Sequence, residues 1–393
     1  MHSPRFNPLL PFAMAGALLC SAAQAAPLII SYLPTWQSDQ DQQRAVEVLP
    51  KLDYGILSFL EVKPDGTAFV SDAAAPSALF WHQAFTEARK KNPALKCQWV
   101  IAGWEGSRNI AKVAQSEAAR TRLAITATAI MRAYQCQGLD LDWEHPVTGG
   151  NYADDASPAD KDNYILLLQA LRAELARQGK NDNQKYVLTA ALPVTNGGWS
   201  LSGYDIPRAV KELDWVNMML YDFYGAWSAR AGLLAPLYGL AADPDGKVLS
   251  IDLGIKYMLD KGARKDQLVF GLPFYFRAQG NVEPGPAGDG LNQPSKGPGL
   301  KQYKEPGAGQ YYLVKQDLIG KPGWQQFRSK EAGGAPYLYN AGTREFVSYD
   351  DPQSLKTKLD YVKANGLAGV MIWELTQDDA QHSLFNTLTQ SLR

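Results

Sequence analysis

Eight short apolar runs recur along the chain, most of them followed by a stretch with helical spacing. The runs are Pro27–Pro34, Tyr54–Val62, Lys96–Ala102, Gly138–Glu144, Tyr186–Leu192, Trp215–Tyr221, Leu268–Pro273 and Ala368–Glu374. Helical candidates between them are Arg44–Leu49, Trp81–Lys91, Ser116–Tyr134, a helix opening at Ser157-Pro158, Ile251–Lys261 and, last, Pro352–Asn365. Ser157 suits an N-cap, with Pro158 at the first helical position and Asp160 at the third. Eight apolar strands alternating with helical stretches predict an α/β chain folded as one (β/α)8 barrel. The 393 residues exceed a typical barrel of about 250. The excess falls between strand seven and the last helix, over 277–346. Gln279–Gly309 is dense in Gly and Pro, while Tyr311–Val314, Pro336–Tyr339 and Glu345–Tyr349 look strand-like. A small α+β insertion on the barrel rim is the expectation, with no internal repeat and no separate binding module.

The first 25 residues read as a secretory signal. Arg5 supplies the positive region, Leu9–Cys20 is a short apolar run, and Ala23-Gln24-Ala25 is a small-x-small cleavage site. The run is too short to span a bilayer, so a secreted or periplasmic mature protein is expected, cleaved after Ala25. Net charge is −1, which leaves neither a nucleic-acid footprint nor a polybasic membrane patch. A monomer is expected. Ten Trp and nineteen Tyr suit either a large core or a carbohydrate cleft, since flat rings pack on sugars. Beyond the signal, Cys97 and Cys136 remain. An oxidising compartment permits a disulfide, but two buried free thiols are the preferred reading. Neither cysteine has metal-ligand company and the four His are scattered, so no metal site and no cofactor are expected.

The fourth run, Gly138-Leu139-Asp140-Leu141-Asp142-Trp143-Glu144, carries acids at every second position. In a strand these three share one face, while Leu139, Leu141 and Trp143 pack on the other. A row of carboxyls about 6–7 Å apart is costly inside a core. A solvated strand face or a calcium site are other fates of such a row. A calcium loop wants polar residues or Gly between its ligands, and Leu141 and Trp143 are neither. At the C-terminal end of a barrel strand, where catalytic residues sit, Glu144 is outermost and Asp140 deepest. Like charges this close cannot all stay ionised, so one holds a proton near neutral pH and serves as a general acid.

Gly138–Glu144 resembles the D-G-x-D-x-D-x-E pattern of family 18 glycoside hydrolases, the chitinases, with Gln137 in place of the first Asp. That substitution touches support rather than chemistry. Met219-Leu220-Tyr221-Asp222-Phe223-Tyr224-Gly225-Ala226-Trp227 is similar to the family's M-x-Y-D-x-x-G-x-W, and Gly271-Leu272-Pro273-Phe274-Tyr275 to its G-x-P-x-Y, followed by Arg277. Gly369–Glu374 is similar to the family's last strand, and Tyr32 and Phe59 match aromatic positions on the first two. The third strand is weaker: only Gly103 survives of S-x-G-G.

The resemblance implies a retaining hydrolase of β-1,4-linked N-acetylglucosamine polymers or oligomers, an exception to the two-carboxylate scheme. The substrate's own 2-acetamido oxygen is the nucleophile. Glu144 is the implied acid and base, Asp142 orients the acetamido group, Asp140 shares the proton load of Asp142, and Tyr221 donates to the acetamido oxygen. Asp222 bonds the distorted sugar or its acetamido group. Trp373 floors the site, Met219 walls the acetamido pocket, and Tyr32, Phe59, Trp104, Trp227 and Arg277 are further substrate contacts. His145, where an aromatic residue is common, stacks on sugar or packs, with no proton-transfer role. Two other readings stay open: an endo-β-N-acetylglucosaminidase acting on N-glycans, and a chitin-binding lectin without catalysis, disfavoured because such lectins usually lose the acid.

Overall fold

The computed structural model describes residues 26–194, 199–242 and 249–393. The expected signal segment and its cleavage site lie outside the described residues. Eight parallel strands close into a barrel: β1 (Leu28–Pro34), β2 (Tyr54–Val62), β3 (Lys96–Ala102), β4 (Gly138–Asp142), β5 (Val187–Pro193), β6 (Trp215–Met219), β7 (Leu268–Pro273) and β8 (Gly369–Trp373). Each pairs with its neighbour in sequence order, and β1 pairs with both β2 and β8 to close the ring. These are the eight apolar runs. Strands covered on both faces bury nearly every residue, which is why they read as continuous apolar stretches. Helices such as Ala75–Lys91, Glu117–Ala133 and Asp160–Asp182 pack outside. Among the described residues no helix is long and apolar enough to cross a membrane.

The insertion is a five-stranded antiparallel sheet in the order Ala308–Gln310, Tyr275–Gln279, Glu345–Ser348, Ala335–Asn340, Trp324–Ser329. It has its own small core, built on Val282, Tyr337, Tyr339 and Phe346. Several local expectations differ from this structure. Tyr311–Leu313 is helical and continues as a π-turn over Val314–Leu318. Its buried residues are Tyr311, Val314 and Leu318, a spacing of three and four that a four-residue window does not reveal. The chain ends not with Pro352–Asn365 but with a further helix, Ser383–Leu392, which buries Leu384, Phe385, Leu388 and Leu392. The regular helix after the acidic strand begins at Asp160 rather than just after Ser157. The capping contacts are nonetheless present: Ser157 N–H donates to Asp160 Oδ2 at 2.8 Å and Ala159 N–H to Ser157 Oγ at 3.2 Å.

The free-thiol reading is overturned: Cys97 and Cys136 form a disulfide. Cys97 is the second residue of β3, and Gln137 N–H donates to its carbonyl at 2.7 Å, so strand pairing puts Cys136 alongside, with Cα atoms 4.6 Å apart. The 39-residue separation in sequence hides this closeness. Gln137 stands at the base of the barrel, away from the strand ends. Its side-chain oxygen accepts from Cys97 N–H at 3.1 Å and Arg89 at 3.3 Å, and its amide donates to the Gln135 carbonyl at 2.6 Å.

Candidate active site

The carboxyls of β4 differ in their surroundings from bottom to top. Asp140 is fully buried and pairs across the sheet with Thr189 of β5. The Thr189 hydroxyl donates to Oδ1, Asn217 Nδ2 of β6 to the same oxygen at 3.0 Å, and the Tyr32 hydroxyl of β1 to Oδ2 at 2.6 Å. Burial pushes the Asp140 carboxyl up, and these three donors oppose it. Asp142 is also buried, but its Oδ1 has no hydrogen-bond partner among the described residues. Burial, then the charges of Glu144 and Asp140, hold it well above the usual carboxylate range.

Glu144 lies just past the end of the strand, its N–H donating to Ser107 Oγ at 3.0 Å. Burial, then the charge of Asp222, push its carboxyl up to about 8. It is therefore protonated at neutral pH and able to donate. Gly103, at φ +79°, donates its N–H to the Asp142 carbonyl at 2.7 Å. A Cβ there would lie 2.5 Å from the Phe59 ring, so the surviving glycine of the third strand is the one the site needs.

The residues after β6 complete one wall. Strand pairing stops at Met219, earlier than the apolar run, where Leu220 N–H turns back to the Met218 carbonyl at 2.9 Å, and Asp222 then takes φ +58°. Met219 is half-buried at the strand end. Tyr221 is buried, and burial followed by the surrounding carboxylates pushes its phenol well up, so it keeps its O–H. Asp222 accepts from the Tyr275 hydroxyl at 2.8 Å and from Arg277 at 2.8 and 2.7 Å. Arg277 also reaches Glu305 at 2.9 Å and lies over the exposed Trp227 ring at 5.3 Å.

Aromatic rings line the opposite wall. Trp373 closes β8, with the Tyr32 ring 5.3 Å and the Phe59 ring 6.0 Å away. Trp36 stacks on Phe59 at 5.5 Å with planes only 4° apart, and is 46% exposed. Trp36 is the residue that sequence reasoning left out of the site, although a Trp two positions past the end of a barrel strand was the available signal. Trp104 is exposed, its ring 6.1 Å from buried His145. The predicted residues thus gather at one end of the barrel. Among the described residues no group of three His, Cys, Asp or Glu is arranged to hold a metal ion.

This arrangement can present a proton above a buried acceptor, within a cleft walled by flat rings. The family model "Glycosyl hydrolases family 18" matches residues 28–378. Chitinase A1 of Niallia circulans is 36% identical over 295 residues, which cover 74% of this chain and 42% of that protein. An endochitinase of Manduca sexta is 32% identical over 308 residues, 76% of this chain and 53% of its own length. The chain thus spans about half the length of these relatives. A structure described as a glycoside hydrolase family 18 N-acetylglucosaminidase from Paenibacillus barengoltzii superposes with a TM-score of 0.80 at 30% identity. It covers 93% of this chain and 100% of that one. With a family match running through the whole barrel and the acids standing where its strands open, the chain belongs to family 18 of the glycosyl hydrolases.

Proposed function

We propose that the protein hydrolyses β-1,4-linked N-acetylglucosamine polymers or oligomers with retention, using the substrate's 2-acetamido group as nucleophile. The observation that carries this reading is the graded carboxyl column: a tied-down Asp140, an Asp142 oxygen without a partner, and a protonated Glu144 at the mouth. Glu144 donates its proton to the glycosidic oxygen as the acetamido oxygen attacks the anomeric carbon, and the resulting carboxylate then takes a proton from the incoming water. The acetamido N–H is the donor that satisfies Asp142 Oδ1. Tyr221 donates to the acetamido oxygen and aligns it. A nucleophile held on the substrate itself gains from proximity, with effective molarities of about 10⁵ M or more. Asp222, braced by Tyr275 and Arg277, faces the reacting sugar, Met219 walls the acetamido pocket, and Trp373 floors it. Tyr32, Phe59, Trp36, Trp104, Trp227 and Arg277 extend the sugar contacts.

The names of the relatives support chitin as the polymer. Export through the N-terminal leader belongs to the same reading, and the Cys97–Cys136 disulfide suits an oxidising compartment. The test is incubation with chitin oligosaccharides and an N-glycoprotein side by side, with wild type and Glu144→Gln. Cleavage of the oligosaccharides with retained anomeric configuration, lost in the variant while binding persists, is expected. Inverted products, or wild-type turnover by the variant, would refute the mechanism. Cleavage of the glycoprotein alone would move the assignment to N-glycans, and binding without cleavage to a lectin.

A further inference from the structure

The ladder between β3 and β4 ends irregularly beside Glu144. Ala102 pairs with Asp142, and the Gly103 N–H then donates to the Asp142 carbonyl at 2.7 Å. In a parallel ladder the next bond would run from the Glu144 N–H to the Gly103 carbonyl and span about 2.9 Å. The Ser107 hydroxyl occupies that rung instead. It donates to the Gly103 carbonyl at 2.8 Å and accepts from the Glu144 N–H at 3.0 Å. A serine hydroxyl has one proton and two lone pairs, so both bonds are met with donor and acceptor in order.

The backbone on either side is arranged around this hydroxyl. Ala102 and Gly103 both have φ +79°. A residue with a Cβ holds that conformation only where its surroundings impose it, and Ala102 is buried. The chain leaves β3 through these two residues, and a single 3-10 turn over Gly106–Asn109 returns Ser107, also buried, to the strand end. That turn is tied on two sides. Asn109 Nδ2 donates to the carbonyl of Val62, the last residue of β2, at 2.7 Å. From the loop after β4, the Tyr152 hydroxyl donates to the Glu105 carbonyl at 2.8 Å and Asn151 Nδ2 to Glu105 Oε1 at 3.1 Å. Gly150 in the same loop lies so near the Glu144 carbonyl that a Cβ on it would be 2.4 Å from the oxygen.

We propose that Ser107 is a positioning residue for the general acid: its hydroxyl, inserted in the last rung between β3 and β4, sets how far Glu144 stands off β3 and so where its proton meets the glycosidic oxygen. A direct rung would draw the Glu144 backbone toward β3 by the thickness of one hydroxyl. A displacement of about 1 Å at a reacting group can cost about 10²-fold in rate.

This role rests on reading Glu144 as the acid, and the test separates the two. Ser107→Ala removes the hydroxyl and leaves the backbone able to form the direct rung. A sugar alcohol needs a proton to depart, whereas dinitrophenolate departs without one. The value of kcat/KM, which reports the steps through bond cleavage, is measured on the N-acetylglucosamine tetramer and on the dinitrophenyl glycoside of the dimer. In Ser107→Ala the tetramer value should fall about 10-fold or more, and the glycoside value far less. Loss of folding or a displaced Asp142 would lower both alike. Crystal structures of wild type and Ser107→Ala supply a check that needs no turnover. Wild type should keep the hydroxyl in the rung, and the variant should bring the Glu144 nitrogen to about 3 Å from the Gly103 carbonyl oxygen. Equal losses on the two substrates, an unchanged tetramer value, a direct rung in wild type, or an unmoved Glu144 in the variant would each overturn the proposal. If Glu144→Gln cleaves the tetramer at the wild-type rate, the reading of the acid fails, and the crystal structures still decide whether Ser107 sets the place of Glu144.

Discussion

A carboxyl kept protonated by burial weakens the fold that holds it, and Glu144→Gln makes that cost measurable. The ordinary carboxyl value is 4.5, and in the folded protein the group titrates at about 8. Between those values the native state binds a proton that the unfolded chain has released, so unfolding gains as pH rises. The stabilising contribution of the protonated carboxyl is complete below pH 4.5 and is lost progressively up to about 8. Each pH unit in this window is worth about 1.36 kcal/mol, so the loss reaches about 3 kcal/mol at pH 7 and about 5 kcal/mol above pH 8. The side chain is only 16% exposed, so solvent screens little of this. Glutamine matches the shape and does not titrate. The variant should match wild type in pH dependence near pH 4, then melt higher by roughly 4 °C at pH 7 in a chain of this length. Melting curves of both proteins from pH 4 to 8.5 test it, and the pH 4 difference absorbs any change in packing or hydrogen bonding. A difference that stays flat across the range would refute the raised pKa and the reasoning built on it.

Tyr32→Phe removes one donor from the fully buried Asp140 and should cost about 2 kcal/mol in denaturant unfolding; a loss below about 0.5 kcal/mol would show that the hydroxyl does not support the column. Replacing both Cys97 and Cys136 with Ser opens a 39-residue loop and should lower stability by about 4 kcal/mol while leaving turnover near wild type at low temperature. An unchanged denaturation midpoint would contradict this. Asp222→Asn removes a charge that raises the Glu144 carboxyl, so the alkaline limb of kcat/KM should move to lower pH. A limb that stays in place would assign the raised value to burial alone.

Much of the site was legible because it is local. Asp140, Asp142 and Glu144 are spaced by the period of a strand, and Met219, Asp222 and Trp227 sit in one motif. The less legible parts depend on long-range pairing. Trp36 joins the cleft through a stack with Phe59, 23 positions away. The helical spacing over Tyr311–Leu318 becomes visible only when burial shows which residues face the core.

The sequence by itself determined the barrel, the rim insertion and the order of the three acids, since side-chain alternation and apolar runs follow from backbone geometry within one element. Only the tertiary structure decided how those acids differ. The donors to Asp140 come from β1, β5 and β6, the unpaired oxygen of Asp142 is a matter of enclosure, and the charge that raises Glu144 comes from beyond β6. Strand register likewise placed Cys136 beside Cys97, and the turn after β3 placed Ser107 on the Glu144 N–H. Proton affinity depends on the distance and burial of groups far apart in the chain, and those quantities exist only once the barrel has closed.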